Sequence, residues 1–230
     1  MGLCYIINKY IIFQININYS KKLKMKKKIL SLVVLMSTSL CTFAQNGVGE
    51  WSFMPKVGFN FATMTNDNDA GTRTAFTLGG EFGYVATPKV TLSFGAMYSQ
   101  QGCKGKADGL NGTIKMDYIN LPAVAAYRVT DNLSVKAGLQ LGFLVNDKVK
   151  VSANGVNAEV GLEDSYKAAG MNVSLNKFDL SIPIGVSYDF DNIQLDLRYN
   201  AGITKILSAP GGEGTKNSVV QITVGYKLGL

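Results

Sequence analysis

From Trp51 to the C-terminus, apolar and polar residues alternate along the chain with a period of two. Alternation sustained over eight or more residues marks a half-buried β-strand, because successive side chains of a strand point to opposite faces. The last segment is the clearest. Val220, Ile222, Val224, Tyr226, Leu228 and Leu230 share one face, and Gln221, Thr223, Gly225, Lys227 and Gly229 share the other. The same pattern runs through Ile193, Leu195, Leu197, Tyr199, Ala201 and Ile203, through Phe178, Leu180, Ile182, Ile184, Val186 and Tyr188, and through Leu133, Val135, Ala137, Leu139, Leu141, Phe143 and Val145. Weaker versions cover roughly 51–64, 75–86, 90–102 and 114–129. The pattern predicts an all-β chain of eight strands. With no linker and no solenoid-like repeat, it predicts one domain over 45–230.

The predicted connections alternate in length. Thr87-Pro88-Lys89, Thr130-Asp131-Asn132 and 189–192 are tight turns of turn-forming residues, whereas the stretches near 66–73, 103–113, 150–176 and 204–216 are long and rich in Gly, Asn, Asp and Lys. Short turns at one rim and long loops at the other describe a single up-and-down antiparallel barrel that crosses a membrane. An even strand count puts both chain ends at the short-turn rim.

A soluble lipocalin-like barrel would alternate equally well, so the composition of the polar face decides. A solvated outer face is dense in Lys and Glu. Here it is Gly58, Gly83, Gly95, Gly138, Gly142, Gly185 and Gly225 among Ser, Thr, Asn and Gln, which suits the cramped lumen of an eight-stranded barrel. The few charges on that face are Lys56, Glu81, Arg128, Lys136, Asp179, Asp196, Arg198 and Lys227, of both signs and able to pair across the lumen. The apolar face carries Tyr84, Tyr127, Tyr188 and Tyr226 towards the short turns, and Phe76, Tyr98, Phe143 and Phe178 towards the long loops. Two aromatic belts around an aliphatic band are the interfacial girdles of a bilayer-spanning barrel.

Charge and composition narrow the functions. The formal +7 resides in residues 1–44, which hold seven Lys and no acid, leaving 16 basic and 16 acidic residues over 45–230. No basic footprint for nucleic acid remains. The absence of His removes Ser-His-Asp and Cys-His catalysis and every His-ligated metal site. No catalytic, cofactor-binding or metal-ligating residue is identified, and no cofactor is expected.

Residues 25–44 read as a secretory signal peptide: Lys26-Lys27-Lys28, a mostly apolar run from Ile29 to Phe43, and Thr42-Phe43-Ala44 before a cut that leaves Gln45 first. A buried helix or a lipoprotein signal ending at Cys41 are the alternatives; Leu40 occupies the position where the latter wants a small residue. Residues 1–24 match no targeting class and read as mis-assigned upstream sequence. Cys103 is then the single mature cysteine, so no internal disulfide forms.

Asp117-Tyr118-Ile119-Asn120-Leu121-Pro122 followed by Tyr127-Arg128 resembles the fourth strand of an outer-membrane β-barrel family abundant in Bacteroidota, to which the PorT-like proteins belong. The segment from Asp179 to Tyr188 and that from Leu197 to Ile203 are similar to its sixth and seventh strands. The resemblance implies a small closed barrel of the OmpX or OmpA-domain kind in the cell outer membrane, with periplasmic termini. Outer-membrane lipids and the barrel-assembly machinery would be its partners. Such a barrel would be a non-enzymatic surface protein with a plugged lumen, acting through long extracellular loops, above all 150–176 with its Asn154-Gly155 and Glu163-Asp164 pairs. A narrow porin, a PorT-like component of a secretion or assembly machine, and a soluble secreted carrier are the alternatives. Pro55, Pro122 and Pro183 fall within strands that have no free edge, and each predicts a local bulge.

Overall fold

A computed structural model of the chain describes residues 47–65, 70–107, 110–153, 156–163, 166, 173–208 and 214–230. The leader assignments over 1–44 lie outside these residues, as do Asn154, Gly155 and Asp164.

The strands are β1 (Trp51–Met64), β2 (Gly71–Thr87), β3 (Val90–Ala107), β4 (Leu110–Arg128), β5 (Leu133–Ala153), β6 (Val156–Val160), β7 (Ser174–Leu175), β8 (Phe178–Phe190), β9 (Ile193–Gly202), β10 (Leu207–Ser208), β11 (Asn217–Tyr226) and β12 (Leu228–Gly229). Eight of them form the wall. The order β1-β2-β3-β4-β5-β8-β9-β11 is antiparallel throughout, and β11 pairs back onto β1 to close the barrel. β12 prolongs β11 along β1, with Phe53 opposite Leu228. A closed ladder has no edge strand and leaves few backbone groups unpaired, which is what lets strands cross a hydrocarbon layer. No helix among the described residues is long and apolar enough to do so.

The tight turns form where the sequence places them. Thr87 Oγ1 accepts from the Val90 amide at 3.0 Å, and Thr130 Oγ1 accepts from Leu133 at 3.1 Å. Asp191, at φ 50°, takes the left-handed conformation that the two-residue β8–β9 turn requires. Gly49 and Leu230 bond to Val85 and Trp51, so both described ends lie at this rim.

The opposite rim differs from expectation. The stretch near 103–113 is largely strand: β3 and β4 stay paired through Lys104↔Thr113 to Ala107↔Leu110. β5 likewise runs on to Ala153 and folds back as β6, so part of the expected 150–176 loop is a hairpin. Beyond the apolar band the pattern inverts, with Ile114, Met116 and Val149 turned inward and Lys115 and Lys148 outward, so the alternation that marks the wall breaks although the backbone pairing continues.

The prolines also behave differently. The register shifts fall between Thr72 and Thr77, between Val85 and Thr87, and between Asp117 and Tyr118, never at a proline. Each proline instead leaves a gap in pairing with one neighbour at unchanged register. Pro122 pairs with Gln140 of β5, while the β3–β4 pairs jump from Phe94↔Ala123 to Met97↔Asn120. Pro183 is paired with β9 and gapped towards β5, and Pro55 is paired with β2 and gapped towards β11–β12. In an antiparallel ladder a residue's N–H and C=O face the same neighbour, so a missing donor breaks the ladder on one side only.

The outer wall is apolar. Val57, Leu78, Leu121, Leu139, Ile184, Leu197 and Val224 are exposed on it. Trp51 packs on Tyr84 at 4.9 Å at the short-turn end, and Phe143 on Phe178 at 5.7 Å towards the loops. A continuous apolar belt of this kind is stable only against lipid.

Candidate functional site

Along the lumen β1, β2 and β9 change from charged to neutral residues at matching levels. From the short-turn rim, β1 presents Lys56, then Asn60, then Met64; β2 presents Glu81, then Thr77; β9 presents Asp196, Arg198, then Asn200, and all of these are buried. The lumen therefore has an ionic floor, an amide middle and an apolar top.

The floor centres on Asp196. Its Oδ2 accepts from Lys136 Nζ at 2.7 Å, Arg198 Nη2 at 2.8 Å and Lys56 Nζ at 3.0 Å. Glu81 accepts from Lys56 at 2.7 Å and Arg198 at 3.1 Å. β1 and β5 stand on opposite sides of the eight-strand ring, each two strands from β9, so Lys56 and Lys136 reach Asp196 from opposite directions. Lys136 also donates to Gln194 at 2.7 Å, and Gln194 donates to Asp189 at 2.7 Å, which carries the network to the rim. Five of the charges expected in the lumen thus form one network. Lys227 touches that network only at its rim end, 3.6 Å from Asp189, while Asp179 accepts from Thr204 and Asn217 outside it and Arg128 makes no ion pair among the described residues.

Above the floor the partners are neutral. Asn60 donates to Ser99 Oγ and to the Gln100 carbonyl, both at 2.9 Å, and Gln221 donates to Thr77 at 3.2 Å. Arg73, which the sequence reading missed, is buried here and donates to the Gln101 carbonyl. Asn60 and Arg73 occupy the stretch where β2 and β3 lose their mutual pairing, so side chains satisfy carbonyls that the ladder leaves open.

The top is an apolar cap. Met64, Cys103, Met116, Tyr118, Leu162, Ile206 and Leu207 form one buried cluster, with Ile114, Leu144, Val149, Tyr166, Val173 and Leu175 against it. Leu162, Ile206 and Leu207 come from the long connections, and β7 and β10 pair to hold the latter two in place. The sequence reading placed Cys103 at the start of an open loop. It is 3% exposed, because β3 continues past it and turns the thiol inward beneath the connections.

At the short-turn mouth lies a cavity of about 50 Å³ lined by Ser52, Glu81, Ser93, Arg128, Lys136 and Ser187, among others. It has room for a few waters. The floor closes it from above.

The description "Outer membrane protein beta-barrel domain" matches residues 43–208 of this chain. No curated protein matches the sequence. Among solved structures, Ail, the attachment invasion locus protein of Yersinia pestis, aligns at 16% identity and TM-score 0.47, over 79% of this chain and 100% of its own. Neisserial surface protein A aligns at 16% and 0.42, over 77% and 97%. OprG from Pseudomonas aeruginosa aligns at 15% and 0.40, over 80% and 98%.

Proposed function

Because the chain belongs to the outer membrane protein β-barrel domain family, we propose that it is a non-enzymatic surface-interaction protein whose lumen is plugged and whose long connections face the exterior. It sits in the outer-membrane bilayer. The observation that carries the plug is Asp196 Oδ2, which ties β1, β5 and β9 together through three cations at 2.7–3.0 Å. A solute passing the floor would have to break charge-assisted bonds in a low-dielectric lumen. What remains for function is the long-connection rim, whose cap holds Leu162, Ile206 and Leu207 in place.

Planar-bilayer recording tests the plug. Purified protein shows no step-like openings; reproducible unitary conductance would establish the narrow-porin alternative instead. Stoichiometric partners after crosslinking in isolated outer membranes would favour the PorT-like alternative.

The orientation follows from periplasmic termini and is tested by thiol labelling in a Cys103→Ser background. A membrane-impermeant maleimide labels Lys177→Cys on intact cells and labels Asn132→Cys only after the outer membrane is permeabilised. Both native residues are exposed, at opposite rims, so a reversed pattern inverts the barrel. Export is through the segment 25–44, and intact mass of the membrane-fraction protein shows Gln45 as its first residue.

A further inference from the structure

The strand extensions at the long-connection rim have two distinct faces. Cys103 of β3, Ile114 of β4 and Val149 of β5 pack into the apolar cap. The residues beside them therefore point the other way, and four of these six, Lys104, Lys115, Lys148 and Lys150, are lysines, the other two being Gly102 and Thr113. The level at which this outer face stops being lipid-facing is marked by a polar group. Asp117 Oδ2 accepts from Tyr98 Oη and from Asn146 Nδ2, each at 2.9 Å, and Gln100 donates to the Tyr98 hydroxyl at 3.4 Å.

Counting from that level, Lys115 and Lys148 stand two residues beyond Asp117 and Asn146. Lys104 and Lys150 stand four beyond Gln100 and Asn146. At about 3.3 Å per residue and a strand tilt near 40°, these tiers lie about 5 and 10 Å further along the membrane normal. The headgroup layer is about 5–8 Å deep on each side of the hydrocarbon. Lysine stems are long enough to bring either tier's ammonium groups into it.

The arrangement opposes the stability of the sheet. Lys115 lies directly opposite Lys148 in the β4–β5 register, and like charges facing each other across strands are destabilising. Glu159 of β6 relieves only part of this, 2.5 Å from Lys115 Nζ. The Glu159 carboxyl is held below its ordinary value, first by that hydrogen bond and charge and then by the positive charges of Lys148 and Lys150. Lys104, Lys148 and Lys150 have no ion-pair partner among the described residues.

We infer that this outward face of the β3–β6 ribbon is a binding surface for the phosphorylated headgroups of the surrounding membrane leaflet. Four lysines in two tiers, continuous with the lipid-facing wall, match a layer of phosphates at that depth better than they match any partner approaching from the loop tips. The inference rests on the bilayer placement of the barrel.

The test uses the full chain, purified in zwitterionic detergent, with fluorescent bisphosphorylated lipid A and the same lipid after phosphate removal as probes. The wild type retains the phosphorylated lipid preferentially. The variant Lys104→Gln/Lys115→Gln/Lys148→Gln/Lys150→Gln loses that preference by about fivefold for each lysine engaged, and Lys89→Gln at the opposite rim leaves it unchanged. Heat-modifiable gel mobility reports that each variant is folded. Should the fourfold variant not fold, the exposed pair Lys104→Gln/Lys148→Gln gives the same reading at smaller amplitude. Equal retention of both lipids by the wild type, or undiminished preference in folded variants, overturns the inference. So does full displacement of the lipid by millimolar inorganic phosphate, which would identify a site for free anions. Failure of the bilayer placement looks different, because the wild type would then stay soluble without detergent.

Discussion

The two ends of the lumen solve the same problem with opposite chemistry. At the short-turn end the connections are too short to reach inward, so the strands close the lumen themselves, with charged side chains that meet across it. At the other end the connections carry Leu162, Ile206 and Leu207 over the mouth, and the strand residues beneath them are apolar: Met64, Cys103, Met116 and Tyr118. An ionic floor is directional and fails when one partner is lost. An apolar cap is non-directional and loses stability by degrees.

The comparison breaks most sharply at Asp196. Replacing it with Ala leaves Lys56, Lys136 and Arg198 buried around Glu81 alone, and removing one partner of a buried ion pair costs about 3–5 kcal/mol. Urea unfolding followed by the fluorescence of Trp51, the one tryptophan, measures it; a loss within experimental error would mean that the floor adds nothing to stability.

Truncating the cap has a smaller and more local effect. Met116→Ala costs about 2–3 kcal/mol, in the lower part of the range for buried methionine, because the loop-borne residues above it can settle into the space. It also speeds maleimide reaction at Cys103, whereas Asp196→Ala does so only in proportion to global unfolding. Rapid labelling of Cys103 in the folded wild type would show that the cap does not cover the thiol.

The same glycine substitution separates the spanning wall from the ribbon beyond it. A Cβ at Gly138 would stand 2.1 Å from the Ala123 carbonyl oxygen, so Gly138→Ala must push β4 and β5 apart, at about 1–3 kcal/mol. At Gly105, in the ribbon, a Cβ meets nothing within 4 Å, and Gly105→Ala leaves the unfolding midpoint unchanged. Comparable shifts for the two variants would remove the distinction.

Pro122→Ala is the mildest change. It restores a donor facing β3 and alters stability by no more than about 1 kcal/mol, since the lost restriction of the unfolded chain opposes the new hydrogen bond. Hydrogen exchange at the new amide shows whether the β3–β4 gap has closed; an amide as fast as a free one would mean that the gap does not depend on the proline.

Much of this was legible in the chain itself. The period of two placed all eight wall strands, because burial against lipid on one face and a narrow lumen on the other imposes strict alternation. Lys56, Glu81, Lys136, Asp196 and Arg198 stood out as charges on a face otherwise made of glycine and small polar residues. Arg73 did not, because it lies where the β2–β3 register slips and its partner is a backbone carbonyl, which no side-chain pattern announces. Cys103 was misplaced for a related reason: the alternation breaks there although the strand does not.

The alternating pattern and its composition determined on their own the fold, the face that meets lipid, the short-turn rim and the candidates for the lumen, since each depends only on the polarity of residues a fixed distance apart. Only the tertiary structure decided which charges meet. Lys56, Lys136 and Asp196 lie 80 and 60 residues apart in sequence, and only ring closure of β11 onto β1 sets the cross-lumen distances. It also decided what closes the top. Ile206 and Leu207 become core residues because β10 pairs with β7, a contact made by backbone hydrogen bonds that leave no periodic trace in two residues of strand.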